Sequence, residues 1–160
     1  MKMKGSLVAL LTIAALSGCF PGQSGLPDTR VDLTPAELAG VWRERGGAAE
    51  MVFGQDGTFT ATDLPYQEFQ DFPGVLPDGF DPAADKLPGA GKWELLPPLG
   101  NSAGPLTTVY LHVRMLAGRP STTGTQVRAE RFGSGPVLLS FYLGDPDLND
   151  KIVYEKVAGS

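Results

Sequence analysis

The chain has 160 residues, of which 42% are hydrophobic and 19% charged, with a formal net charge of −5. This length and composition indicate one globular domain and exclude a chain that is disordered throughout. The single cysteine excludes an intramolecular disulfide framework and any multi-cysteine metal centre, and the negative charge disfavours a nucleic-acid binder. With 21 glycines and 14 prolines the chain is rich in turns, which disfavours a helical bundle.

The first twenty residues have the pattern of an export signal. Lys2 and Lys4 precede the nearly unbroken apolar stretch 7–16, which is the length of a secretory hydrophobic region and too short to span a bilayer. Leu16-Ser17-Gly18-Cys19 follows directly and resembles the lipobox of bacterial lipoproteins. The resemblance implies diacylglyceryl transfer to the Cys19 sulfur, cleavage after Gly18, and usually acylation of the new N terminus by a chain such as palmitate.

This resemblance also predicts where the protein is located. A mature chain that begins at Cys19 is exported and held by lipid on the outer face of a bacterial membrane, either the cell membrane or, in a Gram-negative cell, the outer membrane. The alternative is an ordinary secretory signal, residues 1–18, followed by a chance cysteine. Cleavage removes Lys2 and Lys4, so the mature chain has 11 basic and 18 acidic residues.

A lipidated flexible tether is predicted for residues 19–33, because this stretch mixes Pro, Gly, Ser and charges without a period. A folded domain is predicted for residues 34–160. It opens with a short helix, since Thr34 suits the cap, Pro35 the first helical position and Glu37 a capping box.

Short strands separated by turn residues follow the helix. The segment 107–115 alternates cleanly, with Val109, Leu111, Val113 and Met115 on one face. Gly54-Gln55-Asp56-Gly57 is a strong hairpin signal. The pattern predicts an all-β domain of about eight strands, an antiparallel up-and-down meander that forms a barrel or a strongly curved sheet. The predicted strands are 41–45, 50–53, 58–62, 92–96, 107–115, 125–132, 137–143 and 151–157.

Two strands open with glycine shortly before tryptophan, in Gly40-Val41-Trp42 and Gly91-Lys92-Trp93. Together with Asp56-Gly57-Thr58-Phe59, this pattern resembles the lipocalin-like domains of bacterial envelope proteins. The resemblance implies an up-and-down antiparallel barrel, with either a packed interior or room for one small ligand.

The segment 63–91 departs from that pattern as a long insertion rich in proline, glycine and aromatic residues. Tyr66, Phe69 and Phe72 are spaced as on one helical face. The range 46–85 contains eight acidic residues and no Lys or Arg. Two interpretations follow: an acidic aromatic lid that contacts a ligand through residues such as Tyr66 and Phe69, or a loop that docks its aromatics and keeps its acids in solvent.

The only histidine, His112, shares a strand face with Tyr110 and Arg114. This trio would anchor a ligand or support acid–base chemistry if its face lined a cavity; otherwise it is an ordinary strand surface. No metal site, cofactor motif or catalytic constellation is predicted, and Asp145–Asp150 fits a turn better than a calcium loop.

The leading hypothesis is a non-enzymatic envelope lipoprotein whose partners are the membrane, through Cys19, and a small apolar ligand or an envelope protein. A ligand binder that uses the barrel interior and a hydrolase that uses His112 are the alternatives.

Overall fold

The computed structural model describes residues 29–98 and 102–159. One short helix, α1 (Pro35–Leu38), precedes strands β1 (Gly40–Glu44), β2 (Glu50–Phe53), β3 (Thr58–Ala61), β4 (Gly89–Leu96), β5 (Thr108–Leu116), β6 (Arg119–Pro120), β7 (Gly124–Glu130), β8 (Leu138–Tyr142) and β9 (Lys151–Lys156). Single 3₁₀ turns lie at Tyr66–Glu68 and Pro146–Leu148. The predicted lipobox, residues 16–19, and the predicted cleavage site lie outside the described residues.

The sheet closes into a barrel of eight antiparallel strands. Its order is β4-β3-β2-β1-β9-β8-β7-β5, and β4 pairs with β5 to complete the ring. The two-residue strand β6 is an extra pairing beside the end of β5. The predicted all-β up-and-down meander is therefore confirmed, and of its two forms the closed barrel is the one observed.

The barrel interior is filled by large side chains. Its largest fully buried members are Trp42, Phe53, Phe59, Phe69, Phe141 and Tyr154. The indole N–H of each tryptophan donates a hydrogen bond to a backbone carbonyl. Trp42 Nε1 donates to Leu38 at 2.8 Å, and Trp93 Nε1 donates to Gly54 at 3.0 Å. Buried apolar side chains, with both indole donors paired, make this interior a solid core.

One end of the barrel, here called the helix end, is covered by residues 29–38. The predicted capping box is confirmed, since Thr34 and Glu37 hydrogen bond each other's backbone N–H groups. The predicted tether boundary at residue 33 is wrong. Val31 donates its N–H to the Ala129 carbonyl at 3.0 Å, and Leu33 is buried. The Thr29 carbonyl accepts the Arg131 N–H at 2.7 Å, so the folded domain begins no later than Thr29.

The long insertion covers the opposite end, here called the insertion end. It runs from residue 62 to residue 88, because residues 89–91, assigned to it from the sequence, already belong to β4. Among the described residues, no helix is long and apolar enough to cross a membrane.

Candidate functional site

The insertion plugs the insertion end of the barrel. Phe69 is completely buried in the core together with Leu64 and Leu87, and Tyr66 packs on Phe80 with ring centroids 6.2 Å apart. The predicted helical face is wrong: only one 3₁₀ turn forms, and Phe72 is 53% exposed while Phe69 points inward. Phe69 is therefore a plug, and it lies too deep to meet a ligand at the surface.

The acids of the insertion mostly face solvent. Asp71, Asp78, Asp81 and Asp85 are exposed, while Asp63 accepts the Leu87 backbone N–H at 2.8 Å. The docked loop, with buried aromatics and solvated acids, is thus the interpretation that matches the structure. Glu68 is the exception, because it is half-buried and accepts a hydrogen bond from the Thr125 hydroxyl. Burial raises its pKa above the ordinary value, although that hydrogen bond opposes the shift.

The trio of Tyr110, His112 and Arg114 lies on the outside of the barrel. Val109, Leu111 and Val113 fill the interior from the same strand, so their neighbours necessarily point outward. A ligand inside the barrel would not reach these three polar groups.

Strand β5 also contains a β-bulge that the sequence pattern missed. Gly91 pairs with Val113 and Ala90 pairs with Met115, which leaves Arg114 as the extra residue. The bulge shifts the alternation by one position. Met115, predicted to be inward, is therefore 40% exposed, and Leu116 is buried in its place.

His112 meets a carboxylate, but one from the neighbouring strand and not from the insertion. Its Nε2 lies 2.8 Å from Glu94 Oε1, and Tyr110 packs edge-on against the imidazole with centroids 4.7 Å apart. The side chains of His112 and Glu94 are 41% and 50% exposed. Such an exposed pair contributes little to stability, and its polar groups remain accessible to water.

A second polar cluster is far more buried. Glu130, at the end of β7, is 2% exposed and accepts hydrogen bonds from Lys151 Nζ at 2.9 Å, from the Tyr142 hydroxyl and from Thr29 Oγ1 at 3.2 Å. Burial alone would raise the pKa of Glu130, but the bonds from Tyr142 and Lys151 outweigh it and hold that pKa below the ordinary value.

The partners of Glu130 titrate accordingly. Burial would lower the pKa of Lys151, yet its bonds to Glu130 and Tyr142 raise it. Burial and the Glu130 carboxylate together raise the pKa of Tyr142. At neutral pH the cluster is therefore a fixed carboxylate, ammonium and phenol, which suits it to holding the segment that begins at Thr29 and not to proton transfer.

Beside this cluster, a cleft of about 430 Å³ opens on the outer face of β5, β7 and β8. We call it the outer cleft, and it is lined by Glu68, Phe72, Tyr110, Gly124, Thr125, Gln126, Arg128, Ser140, Tyr142 and Gly144. Arg128 and Ser140 are directly opposed in the β7–β8 register, and the Arg128 guanidinium lies 4.5 Å from the centre of the Tyr142 ring. Tyr110 lies across Gly124, where a Cβ would come within 2.4 Å of its hydroxyl.

Of the residues singled out in the sequence, Tyr110 and Phe72 line the outer cleft. Tyr66 instead lines a smaller cleft of about 170 Å³ at the insertion end, which also contains Glu44 and Asp63. Cys19 lies outside the described residues. No group of three or more His, Cys, Asp or Glu side chains in the described part of the chain is arranged to hold a metal ion.

Sequence reasoning missed Arg128, Ser140 and Glu68 as members of one site. They come from two strands and the insertion, and no motif links them. One available signal was the alternation of β8, since an apolar row at Leu139 and Phe141 places Ser140 and Tyr142 together on the opposite face.

Comparison with known proteins adds no assignment, since no protein-family model, no curated protein and no solved structure matches the chain.

Proposed function

We propose that the protein is an exported lipoprotein of the bacterial cell envelope, anchored through Cys19, that acts as a non-enzymatic binding or interaction module. The lipobox at residues 16–19 and the position of the only cysteine support the anchor. Two or three acyl chains hold a protein firmly to a membrane, whereas one holds it only marginally.

The fold supports this arrangement, because the chain enters the domain at a fixed place. Thr29 and Val31 are hydrogen bonded to the Glu130 side chain and the Ala129 carbonyl, at the helix end of the barrel. The ten residues 19–28 span at most about 35 Å when extended. An anchor at Cys19 would therefore attach to the domain from its helix end.

Binding is assigned to the outside of the barrel. The interior is occupied by aromatic and aliphatic side chains, and the insertion plugs one end. The observation that carries the binding function is Arg128, a half-buried cation in the outer cleft that forms no ion pair with any described residue. A partly desolvated charge without an ionic partner is costly unless a ligand supplies one.

Metabolic labelling with palmitate tests the anchor. The wild-type protein and a Ser17→Ala variant, which keeps the small residues before the cysteine, should both incorporate label and sediment with membranes. A Cys19→Ala variant should do neither. Label that survives in Cys19→Ala would overturn the anchor assignment.

Two alternatives have their own tests. A small apolar ligand in the barrel would give saturable one-to-one binding of a fluorescent fatty acid, whereas the filled interior predicts none. A hydrolase is favoured by one contact only, the 2.8 Å pairing of His112 with Glu94. Hydrolysis of a model ester that is lost in His112→Ala, with the fold intact, would support that alternative.

A further inference from the structure

Two described lysine or arginine side chains are half-buried, and they differ in one respect. Lys151 is paired with Glu130 at 2.9 Å. Arg128 has only the Tyr142 ring beneath its guanidinium, with no acidic partner among the described residues. A guanidinium stacked on an aromatic face keeps its N–H groups in a planar fork, which matches the two oxygens of a carboxylate.

Ser140 supplies a second unused donor at the same place. It is 0% exposed and lies opposite Arg128 across the β7–β8 pair. Its hydroxyl lies near enough to the Glu130 carboxylate to help lower that group's pKa, yet it makes no hydrogen bond of normal geometry with any described group. A fully buried hydroxyl without a partner is rare and needs an explanation.

The far side of the outer cleft has the opposite character. Glu68 lines this part of the cleft and contacts Thr125, which lies three residues before Arg128 on β7, about 10 Å along the strand. Between them lie Tyr110 and the exposed Gln126, directly opposed across β5 and β7. The cleft therefore offers a cation with donors at one end, a carboxylate at the other, and an aromatic and amide floor between.

We propose that the outer cleft binds the carboxylate end of a peptide, with that carboxylate on Arg128 and Ser140 and the rest of the peptide along Tyr110 and Gln126 towards Glu68. Three extended residues cover about 10 Å, which is the length of strand β7 from Thr125 to Arg128. Both oxygens of the ligand carboxylate accept hydrogen bonds from the N–H groups of the Arg128 guanidinium. Ser140 is 0% exposed, so the side chains that cover its hydroxyl must move for the ligand to reach it.

The peptide can be free or can be the C-terminal residues of another protein. A free tripeptide also carries an ammonium group for Glu68, whereas a protein C terminus does not. This ligand class rests on the binding function proposed above, but it is tested separately from the anchor, because palmitate labelling gives the same result whether or not the cleft binds peptide.

The experiment is an NMR titration of the ¹⁵N-labelled full mature protein in detergent micelles. Triglycine should shift the Arg128 side-chain Nε–Hε signal and the Ser140 amide signal saturably, and triglycinamide, which lacks the carboxylate, should not. N-acetyltriglycine retains the carboxylate and removes the ammonium group. Weaker binding of N-acetyltriglycine than of triglycine assigns the site to free peptides, and equal binding assigns it to protein C termini.

The variants give the expected size of the effect. Arg128→Gln should weaken triglycine binding at least about tenfold, because a charge-assisted pair is lost. Arg114→Gln, which removes an exposed arginine outside the cleft, should leave binding unchanged. Equal binding of triglycine and triglycinamide to the wild-type protein would overturn the proposal without relying on any variant. So would shifts of the same size with inorganic phosphate, or undiminished binding by a folded Arg128→Gln protein.

Discussion

Replacing Lys151 with methionine would leave the Glu130 carboxylate buried without its ammonium partner. The side chains of Glu130 and Lys151 are 3% and 12% exposed, and Nζ lies 2.9 Å from Oε2. Removal of one member of a buried pair typically costs about 3–5 kcal/mol. Glu130 keeps the hydrogen bonds from Tyr142 and Thr29, so we expect a loss of about 3 kcal/mol in the free energy of unfolding.

The matched control is an ion pair at the surface with a similar distance between its charged atoms. Arg43 and Glu50 lie 3.0 Å apart with side chains 59% and 31% exposed, so Arg43→Met should cost less than about 1 kcal/mol. Urea unfolding followed by tryptophan fluorescence, in a Cys19→Ala background, measures both. The double variant Glu130→Gln/Lys151→Met should be more stable than the sum of its single changes indicates, since no unpaired charge remains.

The stability that the Glu130–Lys151 pair contributes must also depend on pH in a defined direction. The folded pKa of Glu130 lies below its ordinary value of 4.5, so the stability that this carboxylate contributes is complete above pH 4.5 and is lost as the pH falls through the folded pKa. In Lys151→Met the Glu130 carboxylate keeps the Tyr142 hydrogen bond but loses Lys151, one of the groups that lower its pKa. The difference between wild type and variant should therefore shrink as the pH falls below 4.5. A Lys151→Met cost no larger than that of Arg43→Met, or one that does not shrink in acid, would refute this account of the cluster.

Three further predictions concern the plug, the bulge and the exposed histidine. Phe69→Ala should cost about 3–5 kcal/mol by opening the plugged end, whereas Phe72→Ala, at a half-exposed ring, should cost far less; urea midpoints compare the two. Gly91→Ala should cost about 2 kcal/mol or more, because its Cβ would lie 2.0 Å from the His112 carbonyl oxygen, and Gly124→Ala should cost less, because the Tyr110 hydroxyl it meets is the end of a side chain. His112→Ala should change the unfolding free energy by less than about 1 kcal/mol, and a larger loss would mean that its bond to Glu94 is less solvated than its exposure indicates.

Much of the barrel could be predicted because its signals are local. Alternation in β5 places Val109 and Leu111 inside, and the Gly54–Gly57 segment forms the expected turn between β2 and β3. Thr34 and Glu37 form a capping box for the same reason, since the contacts involve residues three apart. Each of these features is decided by residues adjacent in the chain.

What could not be predicted depends on residues far apart. At the bulge at Arg114, the backbone of Gly91 on β4 approaches β5 so closely that a Cβ there would lie 2.0 Å from the His112 carbonyl oxygen. The β7–β8 pairing places Arg128 opposite Ser140, but Glu68 comes to the outer cleft from the insertion and contacts Thr125, 57 residues away in the chain. Spacing in the sequence carries no information about contacts between residues so far apart. The face of β5 that carries His112 was a candidate because it holds the only histidine, but it lies on the solvent-exposed outside of the barrel.

The insertion links the closed interior to the outer cleft. Phe69 enters the core while its neighbour Glu68 reaches Thr125, and Phe72 forms a wall of the cleft. The segment 68–72 thus fills part of the barrel interior and also forms part of the wall of the outer cleft. Burial of Phe69 fixes the backbone of residues 68–72, which restricts where the Glu68 carboxylate and the Phe72 ring can lie. Because a cleft with walls held in place loses less conformational entropy when a ligand binds, the plug contributes to the outer cleft without touching its ligand.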